Sequence, residues 1–481
     1  MAPGYRLVGP GRIAQRARTM LPPSGVRDGL STREYVGYAL GDTASNLFFK
    51  TFGFFLTYYY VDVWGLDAAA VASMFLLVRF WDAVNDPLMG AIADRTRTRW
   101  GKFRPWLLWM AIPYGVSGYL VFANPDLGST GKLIYAYATY TLMLMAYTAI
   151  NVPYSSLLGV LSPSSRTRTV ASSFRFVGAF GGGLLVTLGV RPLVRALGGD
   201  DEVLGFQLTM AVFAVLSIGM FWVCFATTKE RVTPPPGQKA DLRREVGELL
   251  RNRPWVALLF AAIFSTTFIF MRDSSTLFYF KYVAGDDGRP WLFGTFDRFT
   301  VFVASAAACQ MLGAGCLSLI AGTVDKRNLA AILSVVTGVC YGVFYFLPPD
   351  AFGLMVTLNC LAAFAAGPTS ALVWAMYADV ADYGEWKFGR RSTGLVYSAS
   401  LFALKTGTMC AGWLVPMFLA WFGFVRGGEQ SPHAILGISL AFSIVPCLFA
   451  CLKAAAIWMY PLNKARVAEI ERDLAARRAA G

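Results

Sequence analysis

The chain has 481 residues, of which 56% are hydrophobic and only 15% are charged. An ordinary soluble domain is about 25% charged, so this composition argues against a soluble enzyme. The net charge of +14 would suit nucleic-acid binding, but the basic residues fall in alternate loops between long apolar stretches, which is typical of membrane proteins. Because only helices satisfy the backbone in such spans, we predict an all-α polytopic membrane protein.

The chain begins with a polar tail over residues 1–34, which has no apolar core like that of a signal peptide. Whether Met20 is the true start stays open. Twelve apolar spans follow, and most are long enough to cross a bilayer as helices. They cover residues 36–61, 69–93, 105–123, 133–161, 170–193, 206–226, 255–283, 297–322, 328–347, 351–379, 393–423 and 433–459.

Charge and spacing predict how these spans are organised. An even number of spans places both termini on one side, and the basic loops on that side predict that it is the cytoplasm. We therefore expect a protein of the inner (plasma) membrane. A polar middle loop over 227–254 separates a half over 35–226 from a half over 255–459, and residues 460–481 form a cytoplasmic tail. Two such halves commonly rock around a central site.

The remaining reactive residue types predict no enzyme. All eight cysteines lie in apolar spans without metal-ligand spacing, and His433 is the single histidine. We find no nucleophile–base pair and no cofactor-binding loop in the sequence, so neither catalysis nor a bound cofactor is expected.

The second span carries the most unusual pattern. On a helix, Asp82 and Asp86 lie one turn apart on one face, with Asn85 beside them and Arg79 one turn before. Carboxylates at membrane depth usually mark an ion or proton pathway. Two neighbouring carboxylates need a proton, a basic side chain or a cation to coexist. The alternative is a structural ion pair between Arg79 and one aspartate.

Several motifs together resemble the glycoside–pentoside–hexuronide:cation symporters, which are melibiose-permease-like members of the major facilitator superfamily. In the first half these are YYYVD over 58–62, RFWDAVNDPLMG over 79–90 and RWGKFRPW over 99–106. In the second half the run ADVADYGEWK over 378–387, followed by Gly389-Arg390-Arg391, is equally typical. The resemblance implies two pseudo-symmetric six-helix halves and cation-coupled sugar symport by alternating access.

The same resemblance implies a cation site. Asp82, Asn85, Asp86 and Thr148 match the family's cation ligands, and these oxygen donors suit Na⁺, Li⁺ or H⁺. Lys405 matches the family's lysine in span eleven, where it would neutralise a carboxylate in the absence of the cation. Its alternative is snorkelling to the membrane surface.

The implied sugar site departs from the family pattern. Asn46 and Asn151 stand where melibiose permease has two aspartates. Amides still bind hydroxyl groups, but the lost charge argues against an α-galactoside. Lys50, Arg175 or Lys405 would instead favour an anionic sugar such as a hexuronide.

Three further residues have two interpretations each. Arg175 matches a family arginine near the sugar, or it makes a structural pair within span five. Tyr147 and Trp374 would stack on a sugar ring, or they are ordinary packing residues.

Other functions stay open. A carrier of lysophospholipids or other amphiphiles would have the same fold, and a non-transporting sensor or scaffold is a further alternative. We expect a monomer whose partners are a sugar, a monovalent cation and the lipid bilayer, without nucleic acid.

Overall fold

The computed structural model describes residues 30–162, 165–231, 247, 249–286, 288–292, 294–320, 325–388 and 393–480. The tail before residue 30, most of the predicted middle loop and Gly389-Arg390-Arg391 lie outside these residues. The described chain is helical and contains no strand. We number its segments as follows: α1 Thr32–Thr51 with the π-helical turns Phe52–Leu56 and Tyr59–Val63, α2 Ala68–Arg95, α3 Arg104–Trp109 with Ala111–Leu120, α4 Ser129–Leu161, α5 Ser165–Gly198, α6 Glu202–Thr227, α7 Arg253–Tyr282, α8 Arg298–Ile320, α9 Lys326–Val343 with the 3₁₀ turn Phe344–Phe346, α10 Phe352–Phe388, α11 Thr393–Trp421, α12 Pro432–Phe442 with Ile444–Trp458, and α13 Lys464–Ala480.

Each predicted span overlaps one of the segments α1 to α12. Within the described chain, eight helices are long and apolar enough to cross a membrane. The other four segments are α1, α2, α3 and α8. Of these, α2 carries Arg79 and two aspartates, and α3 is interrupted at Met110. The all-α polytopic architecture is therefore confirmed.

Helix starts follow the capping residues in the sequence. Ser31 and Glu34 form a reciprocal capping box at the start of α1. Asp67 caps α2, Asn252 caps α7 and Ser431 caps α12, each by accepting a backbone N–H of the first turn. These caps fix where the functional helices enter the bundle.

The helices pair in a pattern that repeats after six segments. In the first half, α1 packs on α5, α2 on α4, and α3 on α6. In the second half, α7 packs on α11, α8 on α10, and α9 on α12. The halves meet along α2 with α11 and along α5 with α8, and these two contacts are also related by the same shift. The bundle is thus an approximately two-fold arrangement around a central axis.

Glycines bring α1 and α5 unusually close. A Cβ atom on Gly178 would lie 2.3 Å from the backbone oxygen of Ala39, and one on Gly182 would lie 2.8 Å from that of Thr43. No larger side chain fits at either position, so small residues permit this contact, as in many membrane helix pairs. The close approach places polar residues of α1 directly against α5.

One end of the bundle is closed by contacts between the halves. We call it the Trp64 end, because α1 finishes there. Asp62 receives the Lys281 ammonium at 2.5 Å and the Tyr282 hydroxyl. Arg426 donates to the backbone oxygen of Asp62 at 2.7 Å and to that of Val63. The first half is therefore clamped to α7 and to the loop after α11.

A second ion-pair cluster lies at the same end. The Arg191 guanidinium lies 2.9 Å from Asp297 and 3.1 Å from Glu202. Burial opposes ionisation of Asp297, but the neighbouring Arg191 outweighs it, and the pKa of this carboxyl is below its usual value. Arg191 thus joins α5 to the residue that precedes α8.

Candidate cation and substrate sites

The carboxylates of α2 form a closed ring with one residue from α4 and one from α11. The Thr148 hydroxyl lies 3.0 Å from Asp82 Oδ1 and 2.9 Å from Asp86 Oδ1. Lys405 Nζ lies 3.1 Å from Asp82 Oδ2 and 2.5 Å from Asp86 Oδ2. We call Asp82, Asp86, Thr148 and Lys405 the acidic ring. It lies at the contact between the halves, with the Asp82 side chain only 4% exposed.

The protons and charges of this ring do not balance fully. A threonine hydroxyl has one proton, so Thr148 donates to only one carboxylate at a time. The Lys405 ammonium has three protons and reaches both carboxylates. Two ionised carboxylates and one ammonium leave one negative charge, which a proton or a monovalent cation would neutralise. Three of the ring residues supply the hard oxygen ligands that such a cation prefers.

Arg79 and Asn85 stand beside this ring without joining it. Arg79 Nε donates to the Tyr140 hydroxyl at 2.8 Å, and Nη1 donates to the Thr408 hydroxyl at 3.2 Å. Within the described chain neither aspartate pairs with Arg79, so Lys405 is the direct counter-charge. The half-buried Asn85 makes no hydrogen bond to another described residue.

The predicted sugar residues Asn46 and Asn151 lie on the neighbouring helices α1 and α4, and Asn46 also approaches Gly182 of α5. Ser45 donates to Asn151 Oδ1 at 2.8 Å, and the Asn151 amide donates to the backbone oxygen of Tyr147 at 3.1 Å. The Asn46 amide donates to the backbone oxygen of Asp42 at 2.9 Å. Asn151 and Thr148 are three residues apart on α4, which brings the amide close to the acidic ring.

Arg175 is held by an acidic residue that the sequence reasoning missed. Its Nε lies 2.5 Å from Asp42 Oδ2, and its Nη2 donates to the Ser155 hydroxyl at 3.2 Å. Its guanidinium also lies over the Tyr154 ring, 5.0 Å from the centroid. An aspartate one turn before Asn46 in an apolar span was the available signal. The pair brings a carboxylate into this region, although Asn46 and Asn151 are neutral.

The aromatic candidates lie in different halves. Tyr147 stacks on Phe49 of α1 with ring centroids 6.1 Å apart. Trp374 lies on α10, in edge contact with Tyr377, and is 38% exposed. The structure therefore places Tyr147, but not Trp374, among the residues of the first half. Lys50 faces Asp273 of α7 at 3.7 Å, across the contact between the halves.

Comparison with known proteins gives the family. Residues 37–464 match the family described as MFS/sugar transport protein. The chain is 34% identical over 426 residues to the inner membrane symporter YicJ of Escherichia coli (strain K12), covering 88% of this chain and 90% of that protein. It is 35% identical over 452 residues to the putative glycoside/cation symporter YagG of the same organism, covering 94% and 96%.

Solved structures show the same fold. A bacterial homologue of the human lysosomal transporter Spinster, solved in an inward-facing and unoccupied conformation, aligns with a TM-score of 0.66 at 15% identity. The alignment covers 89% of this chain and 96% of that one. The chain is thus a multi-pass membrane transporter and not an enzyme, and it belongs to the MFS/sugar transport protein family.

Proposed function

We propose that this transporter carries a glycoside, pentoside or hexuronide into the cell together with a monovalent cation, Na⁺, Li⁺ or H⁺. The observation that carries the proposal is the acidic ring, in which two carboxylates share one hydroxyl and one ammonium. Two buried carboxylates have a clear use in a cation-coupled carrier, because they can bind either the Lys405 ammonium or the coupling cation.

Lys405 and the coupling cation compete for the same carboxylates in this mechanism. Without the cation, Lys405 bridges Asp82 and Asp86 across the contact between α2 and α11. An arriving cation takes the oxygens of Asp82, Asp86 and Thr148 and releases Lys405. Lys405 and the cation each carry one positive charge, so the exchange leaves the net charge of the ring the same in both states, which limits the cost of charge at membrane depth.

The cation affects the sugar site through α4. Thr148 is a cation ligand in this scheme, and Asn151 lies less than one turn further along the same helix. Fixing Thr148 fixes the direction of the Asn151 amide, so substrate and cation each strengthen the other's binding by the same factor. Tyr147 lies beside both residues and offers a ring face to a pyranose.

Alternating access follows from the clamp at the Trp64 end. With both termini in the cytoplasm, as proposed, this end faces outward and the structure corresponds to a carrier closed to the outside. The clamp breaks when the halves rock, and the sites then open to the exterior. Only the fully loaded and the empty carrier complete this exchange.

Uptake by the purified transporter in proteoliposomes tests the function. The probes are D-xylose, methyl β-D-glucoside and D-glucuronate, each with an inward gradient of Na⁺, Li⁺ or H⁺. We expect one gradient to drive uptake of at least one sugar. Asp82→Asn and Asp86→Asn should lower this gradient-driven uptake about tenfold or more, because coupling free energies are of that size.

The control is Asp67→Asn, which changes an aspartate of the same helix outside the ring. Asp67 caps α2 by accepting the Ala70 N–H, and asparagine is an equally good cap. This variant should transport like the unmodified chain. Uptake that ignores every cation gradient, or that survives both ring substitutions unchanged, would contradict the proposal.

A further inference from the structure

A polar cavity lies mostly in the second half of the molecule and reaches α1 and α5 of the first half. Its volume is about 300 Å³, and it is bounded by α1 and α5 on one side and by α7, α8, α10 and α12 on the other. This is the lower limit of ordinary small-molecule sites. Its charged and amide lining residues are Lys50, Arg272, Asp273, Gln310, Asn359 and Lys453.

Lys453 is the most unusual residue of this cavity. Its side chain is buried, with the residue only 3% exposed. Its ammonium donates to the Thr369 hydroxyl at 3.2 Å and lies 5.5 Å from the centroid of the Phe268 ring. No carboxylate of the described residues pairs with it. A lysine buried in this way is costly unless an anion joins it.

Arg272 adds a second buried cation. Its Nη1 donates to the backbone oxygen of Phe442 at 2.6 Å, while its Nε is buried without a hydrogen-bond partner. The guanidinium lies against the Tyr341 ring, 4.3 Å from the centroid. Phe268 packs on Tyr341, so Lys453 and Arg272 approach the cavity from either side of one aromatic pair.

The charges that line this cavity do not cancel. Asp273 is the one carboxylate among the described residues that line the cavity, and Lys50 faces it at 3.7 Å. This distance is too long for a hydrogen bond but short enough for a strong attraction. One carboxylate against Lys50, Arg272 and Lys453 leaves an excess of two positive charges among the described lining residues.

We propose that this cavity binds the acid group of a sugar acid, a carboxylate or sulfonate, with Lys453 as its charge partner. The inference rests on the proposed sugar transport and specifies the substrate class. The cavity would take the acid-bearing end of the substrate, where the Gln310 amide can bind a neighbouring hydroxyl group. An anion here would neutralise part of the excess positive charge. Lys453 would then favour the binding of acidic sugars over neutral ones.

Binding of D-glucuronate and D-glucose to the purified full-length transporter tests this assignment. The two probes share a pyranose ring and differ in the acid group. By calorimetry at constant ionic strength, we expect glucuronate to bind about tenfold or more tightly than glucose. Lys453→Met should remove this preference, and Lys453→Arg should keep part of it. Lys132→Met, which removes another lysine that contacts an aromatic ring, should leave the preference unchanged.

A second measurement separates ligand binding from a structural role. If Lys453 serves an anion, Lys453→Met should leave the ligand-free melting temperature unchanged or raise it, because an uncompensated charge is removed. A lower melting temperature would overturn the assignment. Equal binding of both probes would also overturn it. So would stabilisation by phosphatidylglycerol, and not by glucuronate, that is lost in Lys453→Met. If cation-driven uptake of a neutral sugar persists in any of these cases, only this inference fails.

Discussion

Lys405 is the residue on which the acidic ring depends. It contacts both carboxylates, whereas Arg79 is engaged by Tyr140 and Thr408. A lysine on a flexible stem suits this task better than an arginine, because it is a compact charge that moves away easily. In the proposed mechanism, Lys405 is therefore the positive charge that the coupling cation replaces.

Replacing Lys405 should make the ring depend on added cation. In Lys405→Met, two carboxylates face each other without a counter-charge, and removing one partner of a buried ion pair costs about 3 kcal/mol or more. The melting temperature in choline chloride should fall, and Na⁺ or Li⁺ should restore more of it than in the unmodified chain. Thermal unfolding at equal concentrations of choline, Na⁺ and Li⁺ chloride measures the melting temperature without the cation and its rise with the cation. Equal stabilisation of the two proteins by every cation would contradict this role.

Some of these residues could be predicted from the sequence, and others could not. Asp82 and Asp86 were predicted from their helical spacing within one span, and Thr148 and Lys405 from the resemblance. Asp42 and Lys453 were missed, because their significance depends on partners that the fold supplies. The Asp42 partner is 133 residues away in the chain, and Lys453 is notable for the lack of a described acid beside it.

At the scale of elements, the α1–α5 contact decides the state of Arg175. Gly178 and Gly182 let the two backbones touch, and this closeness holds Asp42 against the guanidinium. The pair leaves α1 and α5 joined by an ionic contact inside the first half. A substrate that reaches Arg175 therefore also disturbs how these two helices are held.

A double-mutant cycle measures this contact. Arg175→Met leaves Asp42 without its counter-charge and should lower the free energy of unfolding by about 2 kcal/mol, since the pair is only partly buried. Asp42→Asn in the same chain should recover most of this loss. Reversible unfolding in a mild detergent gives the free energies of unfolding of the unmodified chain, the two single variants and the double variant. The measurement is repeated with the sugar that the uptake assay identifies. Additive losses in the two single variants would show that the pair does not couple.

Element boundaries were predicted better than element interiors. Apolar runs predicted most span ends to within about five residues, because this signal is local, but α10 continues to Phe388, well beyond the predicted end at 379. The break of α3 at Met110 was not predicted, although Pro113 cannot supply a backbone N–H to the preceding turn. The π-helical turns of α1 were not predicted either, since no residue pattern in that apolar stretch distinguishes them.

The whole molecule is a symmetric bundle with an asymmetric closure. The helix pairing repeats after six segments, yet the clamp of Asp62 with Lys281 and the pair of Arg191 with Asp297 both lie at the Trp64 end. The resemblance predicted the symmetric plan. Which end is closed depends on contacts between residues distant in sequence, and no local pattern carries that information.

The closure should be insensitive to pH over the physiological range. The pKa of Asp297 is lowered, so its stabilising charge is present at any pH above the ordinary aspartate value of about 3.9 and is lost only as pH falls through the lowered value. Spin labels at cysteines replacing Gly128 and Gly428, in a background without the eight native cysteines, report the opening. Neither position has a close contact that a side chain would violate.

We expect the same distance distribution from pH 8 to pH 5 and a longer component in Asp297→Asn at every pH. The matched control is Glu469→Gln, which breaks an exposed ion pair on α13 with Arg466 and should change nothing, since such pairs contribute little. If the Trp64 end of the unmodified chain opened between pH 8 and pH 5, the prediction would be wrong, and a group other than Asp297 would control the closure.

The two π-helical turns of α1 give this helix a way to move in discrete steps. They lie between Lys50 and the end of the helix, and Asp62 is inside the second turn. A π turn contains one residue more than an α turn, so converting one to α geometry rotates everything beyond it by about 100° and shifts it by about 1.5 Å. Such a conversion turns Asp62 away from Lys281 while Asn46 keeps its place. The end of α1 would then rotate and release the clamp in one discrete step, while the part of α1 that carries Asn46 stays in place.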